Sequence, residues 1–143
     1  LLFSKIQKAD VIVNASGVSR SKSENDFFLY NIYYSQRLFN LINTCEGKMY
    51  LYFSSIHYNS ESLYGISKRY NEFLMSELDS KNSNYLLCLR IPGIFGPGIK
   101  PNYVSVVATF CYNLANGKVC KIVEGDKIID LLFPLTIFLE KLN

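Results

Sequence analysis

The chain has 143 residues, 49% of them apolar, enough for one domain with a sizeable core and too many for wholesale disorder. Its formal charge of +3 is small, and Lys and Arg do not cluster beyond pairs, which excludes a nucleic-acid binder. Four scattered cysteines (Cys45, Cys88, Cys111, Cys120) and the lone His57 exclude a metal site of closely spaced ligands, and read instead as reduced, mostly buried thiols of a cytoplasmic protein.

Leu1-Leu2-Phe3-Ser4-Lys5 opens the chain with neither a methionine nor a basic leader ahead of a long apolar stretch, so no secretion signal is expected. Val11-Ile12-Val13 predicts a buried parallel strand. It runs into Asn14-Ala15-Ser16-Gly17, small residues that let a backbone approach a ligand closely. From Phe27 to Ile42 the spacing predicts a helix with an apolar stripe of Phe27, Tyr30, Tyr34, Leu38, Leu41 and Ile42, broken by Gly47. Met49 to Phe53 predicts a second buried strand, followed by Ser54-Ser55. Tyr64 to Leu78 predicts a helix with Ile66, Tyr70, Phe73 and Leu74 as its core stripe.

Tyr85 to Leu89 predicts a third strand, after which Pro92, Gly93, Gly96, Pro97 and Gly98 impose an irregular loop. Asn102 to Ala115 predicts a third helix, stopped by Asn116-Gly117, and Val119 to Val123 a fourth strand. The apolar run from Ile128 to Leu139 is interrupted by Asp130 and Pro134 and falls short of the roughly 20 residues of a membrane span. Alternating strands and helices predict an α/β fold with a parallel sheet. Ligands bind such sheets beyond the carboxyl ends of the strands. The loops Asn14 to Gly17, Ser54-Ser55 and Arg90 to Gly98 leave those ends, and are expected to converge on one crevice.

Tyr64-Gly65-Ile66-Ser67-Lys68 sets a phenol and an ammonium four residues apart, one turn along one helix face. An ammonium beside a phenol favours the phenolate, which suits proton exchange at a carbinol or carbonyl oxygen. Ser55, at a neighbouring strand end, is placed to hydrogen-bond the same oxygen. With 11 tyrosines in the chain, an incidental pair on a surface helix is the competing reading.

The ordered set around the pair resembles the extended short-chain dehydrogenase/reductases, the NAD-dependent epimerase/dehydratase family, over roughly Ala9 to Val123. Ala9 to Gly17 resembles the family's fourth strand and cofactor loop, and Asn31 stands where the family keeps an asparagine. Ser54-Ser55 matches the strand end that supplies a catalytic hydroxyl, Tyr64 and Lys68 match the Tyr-x-x-x-Lys pair, and Arg90 to Pro97 matches the loop beside nicotinamide and substrate. Asn14 to Arg20 and Lys100 to Cys111 further resemble the bacterial capsule-synthesis reductases of the UDP-N-acetyl-L-fucosamine pathway, as does the nine-position step from Ser55 to Tyr64.

The resemblance implies a Rossmann-like, doubly wound sheet with helices on both faces. It implies reduction of a 4-keto UDP-amino-sugar with NADP or NAD, no nucleic acid, no membrane, a cytoplasmic location and a homo-oligomeric whole protein. It assigns catalysis to Ser55, Tyr64 and Lys68. It assigns cofactor contacts to Asn14, Ala15, Ser16, Gly17, Ser54, Tyr64, Lys68, Pro92 and Gly93, and substrate contacts to Arg20, Asn102 and Tyr103. A plain surface role for Arg20 and a helix N-cap for Asn102 stand beside those assignments.

Ile56-His57 occupies the place of the Asp-Glu pair that dehydrating members carry, so dehydration is disfavoured. A loop histidine can titrate near neutrality, but a solvated one is the plainer reading. The glycine-rich βαβ unit that seats the pyrophosphate is missing from the sequence. The chain thus reads as a partial domain over 1–143, with 124–143 opening an incomplete substrate region. A 4-epimerase using the same residues, and a catalytically silent binding relative, remain as alternatives.

Overall fold

The three runs marked as strands by the sequence build the sheet of the first part of the chain. The computed structural model describes residues 2–77, 83–122, 125 and 128–134. The chain divides into two compact units, Leu1–Arg90 and Ile91–Asn143.

In the first unit, α1 (Leu2–Lys8) leads into β1 (Val11–Asn14), which lies parallel to β2 (Met49–Ser55) with Ile12 opposite Tyr50 and Asn14 opposite Tyr52. β3 (Tyr85–Ile91) completes the order β1-β2-β3. The strands start level: the Met49 N–H donates to the Asp10 carbonyl at 2.9 Å, and the Tyr85 N–H to the Lys48 carbonyl at 2.8 Å. The carboxyl ends of β1 and β2 therefore emerge side by side.

Ile6, Phe39, Ile42, Cys45, Tyr50, Tyr52 and Met75 form one buried cluster, with Ile12, Leu86 and Cys88 against it. That cluster joins α1, α3 (Tyr34–Ile42) and α4 (Leu63–Ser76) to a single face of the sheet. Val11 and Val13 point away from it and remain 52% and 54% exposed. β1 is thus half-buried, not buried as expected, because alternate side chains of a strand face opposite sides.

The expected helix over Phe27–Ile42 exists but begins earlier, at α2 (Glu24–Asp26), and runs through a π-helical stretch, Phe27–Tyr33, into α3. The wider i→i+5 turn shifts the helix phase. The buried positions are Asn31, Ser35, Phe39 and Ile42, while the expected core residues Tyr30 and Tyr34 lie exposed with their rings 5.8 Å apart. The stripe expected on α4 is also displaced: Ile66 and Phe73 are exposed, and Gly65, Ser67, Lys68, Asn71 and Met75 are buried. Leu78, the expected end of that helix, lies outside the described residues. Of the thiols only Cys45 is buried, and Cys111 is exposed.

Gly65 sits where α4 meets the 3-10 turn Ile56–Asn59. A Cβ there would lie 2.5 Å from the Ser60 carbonyl oxygen and 2.6 Å from that of His57. Both obstacles are backbone, so Gly65→Ala is expected to destabilise the protein by about 2–3 kcal/mol. A urea melt with an unchanged midpoint would contradict this packing.

In the second unit, β4 (Gly93–Ile94) pairs parallel with β5 (Leu131–Leu132), and Phe95 packs on Phe133 at 5.6 Å. Helix α5 (Val106–Ala115) starts at Ser105, whose side chain accepts from the Ala108 N–H at 3.3 Å. Asn102 is therefore not the N-cap. It lies in the preceding turn at φ 57°, and its N–H donates to Thr109 Oγ1 at 2.9 Å. Gly117, at φ 64°, follows the helix where the sequence predicts its stop. Val119 to Ile122 forms no strand, and Val119 and Ile122 are each more than four-fifths exposed, with no strand among the described residues pairing with them; Val123 lies outside the described residues. No helix among the described residues is long and apolar enough to cross a membrane.

Candidate active site

Where β1 and β2 end, the layer between sheet and helices changes from apolar to polar. Asn14, Asn31, Ser54, Ser55, Ser67, Lys68 and Asn71 are all buried there. Buried polar groups are tolerated only when hydrogen-bonded, and here Asn31 links to Ser67 and Asn71 while Asn14, Ser54, Ser55 and Lys68 each bond to another neighbour.

Asn14 closes β1. Its Nδ2 donates to the Tyr50 hydroxyl at 2.8 Å, and its Oδ1 accepts from the Ser16 N–H at 3.1 Å and the Ser16 hydroxyl at 2.6 Å. The turn this makes leaves Ala15, Ser16 and Gly17 exposed beyond the strand. Asn31 clamps the same loop: its Oδ1 accepts from the Val18 N–H at 2.7 Å, and its Nδ2 donates to the Val18 carbonyl at 2.9 Å. Gly17, at φ 133°, has its open side against Asn31, and a Cβ there would come within 2.8 Å of Asn31 Oδ1. Only glycine fits both the backbone angle and that clamp.

From Asn31 the network passes to α4. Asn31 Nδ2 also donates to Ser67 Oγ at 3.0 Å, and the Ser67 hydroxyl donates to the Tyr64 carbonyl at 2.8 Å. Ser62 caps α4 by accepting from the Gly65 N–H at 3.1 Å. Tyr64, one residue inside the helix, is half-buried, and Lys68, one turn on, is only 6% exposed. The two side chains lie on the same side, with Lys68 Nζ 5.6 Å from the Tyr64 ring centroid. The ammonium is anchored at the β2 end, donating to the Phe53 carbonyl at 2.8 Å. Burial pulls its pKa down from 10.5 to about 8, against the opposing fields of Cys88 and Glu72.

The two serines ending β2 differ. Ser54 donates its hydroxyl to Glu72 Oε1 at 2.5 Å and points to the helix layer. Ser55 Oγ accepts from the His57 N–H at 3.2 Å, which caps the 3-10 turn and leaves its own proton to donate elsewhere. That turn packs on Gly65, next to Tyr64, so Ser55 and Tyr64 belong to one local structure.

Glu72 is a residue that sequence reasoning missed, and it puts a carboxylate against Ser54. Arg90 pairs with it bidentately, at 2.8 Å from Nη2 and 3.2 Å from Nε, and also covers the Tyr58 ring at 3.5 Å. Burial pushes the Glu72 carboxyl up, but the hydrogen bonds from Arg90 and Ser54 prevail and hold it below its usual range. A carboxylate so paired is a poor general acid near neutrality. Asn71 was missed too: its Nδ2 donates to the Asn31 carbonyl at 2.6 Å and the Tyr52 hydroxyl at 3.0 Å. The signal was present, since Tyr64, Ser67, Lys68, Asn71 and Met75 share one helical face.

Arg20 is exposed, as are Asn102 and Tyr103 in the second unit. Pro92 is half-buried there, and the Gly93 N–H donates to the Asp130 carbonyl at 3.1 Å.

This arrangement can hold a phenol, a hydroxyl and an ammonium at a strand end beside a loop of open backbone. Ala15, Ser16 and Gly17 are small and exposed, so a ligand can approach their backbone closely, on the side of Gly17 away from Asn31. The chain is 30% identical over 130 residues to UDP-2-acetamido-2,6-beta-L-arabino-hexul-4-ose reductase from Pseudomonas aeruginosa, a match covering 90% of this chain and 35% of that protein. The fold is similar to that of the capsular polysaccharide assembling protein CapF from Staphylococcus aureus (TM-score 0.79, 32% identity, 98% of this chain and 38% of that one). It is likewise similar to UDP-glucuronic acid 4-epimerase from Bacillus cereus, solved in complex with NAD (TM-score 0.85, 16% identity, 99% and 51%), a likeness of fold alone. The chain thus spans about a third of the length of the curated relative it matches. Residues 2–134 match the family model as well, and the chain belongs to the NAD dependent epimerase/dehydratase family.

Proposed function

We propose that this chain carries the proton-handling half of an NADPH- or NADH-dependent reductase acting on a 4-keto UDP-amino-sugar. The observation that carries the reading is the Lys68 ammonium, buried, anchored on the Phe53 carbonyl and facing the Tyr64 ring. The name of the Pseudomonas aeruginosa relative, a hexul-4-ose reductase, supports the substrate class. A reduced nicotinamide supplies the hydride when bound.

Tyr64 donates its phenolic proton to the carbonyl oxygen, turning the ketone into a carbinol. Ser55 donates a hydrogen bond to the same oxygen and stabilises the charge developing on it. Lys68 stabilises the phenolate left behind. Ala15, Ser16 and Gly17 offer backbone to the cofactor, with Asn14 and Asn31 shaping that loop, and Ser54 holds the strand end through Glu72. Pro92 and Gly93 at the nicotinamide, and Arg20, Asn102 and Tyr103 at the sugar nucleotide, complete the proposed contacts.

Supplying the whole protein with a 4-keto UDP-amino-sugar is expected to consume one equivalent of reduced dinucleotide per sugar, followed at the nicotinamide absorbance. Interconversion of 4-hydroxy epimers without net consumption would replace this reading by a 4-epimerase. Binding without either reaction would leave a silent relative.

A further inference from the structure

The Lys68 ammonium has three N–H donors, of which one meets the Phe53 carbonyl. What else holds a nearly buried cation is an aromatic ring. Nζ lies 4.9 Å from the Tyr52 ring centroid and 5.6 Å from that of Tyr64. Tyr52 is 1% exposed, on β2, one residue before the carbonyl that accepts from Lys68. Cation–π attraction is strongest at such desolvated sites.

The ring is itself fixed. Phe39 meets it edge-on at 6.5 Å, and the Asn71 amide donates to its hydroxyl at 3.0 Å. Asn71 makes this bond while keeping Oδ1 buried and without a hydrogen-bond partner. Turning the amide over would set Oδ1 against the Asn31 carbonyl, which now accepts from Nδ2 at 2.6 Å. The orientation that serves Tyr52 and Asn31 is kept at that cost.

We propose that Tyr52 is a positioning residue for Lys68: its ring face seats the ammonium opposite Tyr64 and sets the pH range over which Lys68 stays charged. The titratable groups facing Lys68 are Tyr52 from β2, Tyr64 and Glu72 from α4, and Cys88 from β3. Burial raises the Tyr52 hydroxyl and lifts the Cys88 thiol to about 11, so both are neutral near pH 7. Glu72 is already paired with Arg90. Beyond the Phe53 carbonyl at 2.8 Å and the field of Glu72, the ammonium faces the negative ring faces of Tyr52 at 4.9 Å and Tyr64 at 5.6 Å.

Tyr52 matters to turnover only if Tyr64 and Lys68 act as proposed above, whereas the dependence of the ammonium on the ring is measurable without turnover. Tyr52→Phe and Tyr52→3,4,5-trifluorophenylalanine both drop the hydroxyl and keep the ring shape, but only the second weakens the negative ring face. A carbon-13 NMR titration of the Lys68 Cε, assigned with Lys68→Met, reads the ammonium directly. Tyr52→Phe is expected to titrate close to the parent, and the fluorinated ring about one unit lower. The same Lys68 pKa with both rings would overturn the inference. Should the pKa follow the ring while the parent shows no reductase turnover, the functional reading falls and this inference stands.

Discussion

Lys68→Met is expected to raise the stability of the protein while abolishing its turnover. The ammonium is 6% exposed, and its pKa falls from 10.5 to about 8 chiefly through burial. At 1.36 kcal/mol per unit, that fall corresponds to about 3 kcal/mol against holding the cation there. Methionine gives up the hydrogen bond to Phe53, worth roughly 1 kcal/mol, and its thioether packs against the Tyr52 ring in exchange. A net gain of about 1–2 kcal/mol follows. It has a definite pH signature. Below pH 8 both folded and unfolded Lys68 are protonated, and the parent bears the whole cost of the buried charge. Between about 8 and 10.5 the folded protein releases the proton first, so parent stability rises with pH and the advantage of the variant shrinks. Urea midpoints at pH 7 and pH 10 test both statements. A variant less stable than the parent at pH 7 would mean that the ammonium is a structural asset and not a functional cost.

Tyr64→Phe carries the second large effect, a loss of about 10²–10⁴-fold in turnover with cofactor affinity unchanged. The substitution keeps the ring that faces Lys68, removes only the proton donor, and leaves the Ser67–Asn31 link to the Tyr64 carbonyl in place. The fold therefore survives while the chemistry does not. If dinucleotide affinity fell with turnover, the hydroxyl would be a binding group instead of an acid.

The strands at Val11, Met49 and Tyr85 were legible because short β-branched or aromatic runs bounded by breakers have few other uses. The pair Tyr64 and Lys68 was legible because four-residue spacing places two side chains on one face wherever the helix packs. The faces of the helices were not legible. Apolar periodicity pointed to Tyr30 and Tyr34, and to Ile66 and Phe73, all of which are exposed. The helix carrying Asn31 changes phase in its π-helical stretch, and α4 turns a polar face inward to serve the site. A hydrophobic stripe marks the core only when the core side is apolar, and beside the ends of β1 and β2, where Asn14, Ser54, Ser55 and Lys68 are buried, it is not. Glu72, Asn71 and Tyr52 escaped for the same reason: each acts through a neighbour brought near by the fold. Val119 to Val123 shows the converse, β-branched residues that form no strand in their described part.

The most direct test follows the hydride and the proton together. Reduced dinucleotide bearing deuterium at nicotinamide C4 is given to the whole protein with a 4-keto UDP-amino-sugar, and the product is read by mass spectrometry and NMR. One deuterium at sugar C4, formed by the parent and nearly absent with Tyr64→Phe, is the expected result. Deuterium transfer by Tyr64→Phe at the parent rate would contradict the role of Tyr64 as the acid.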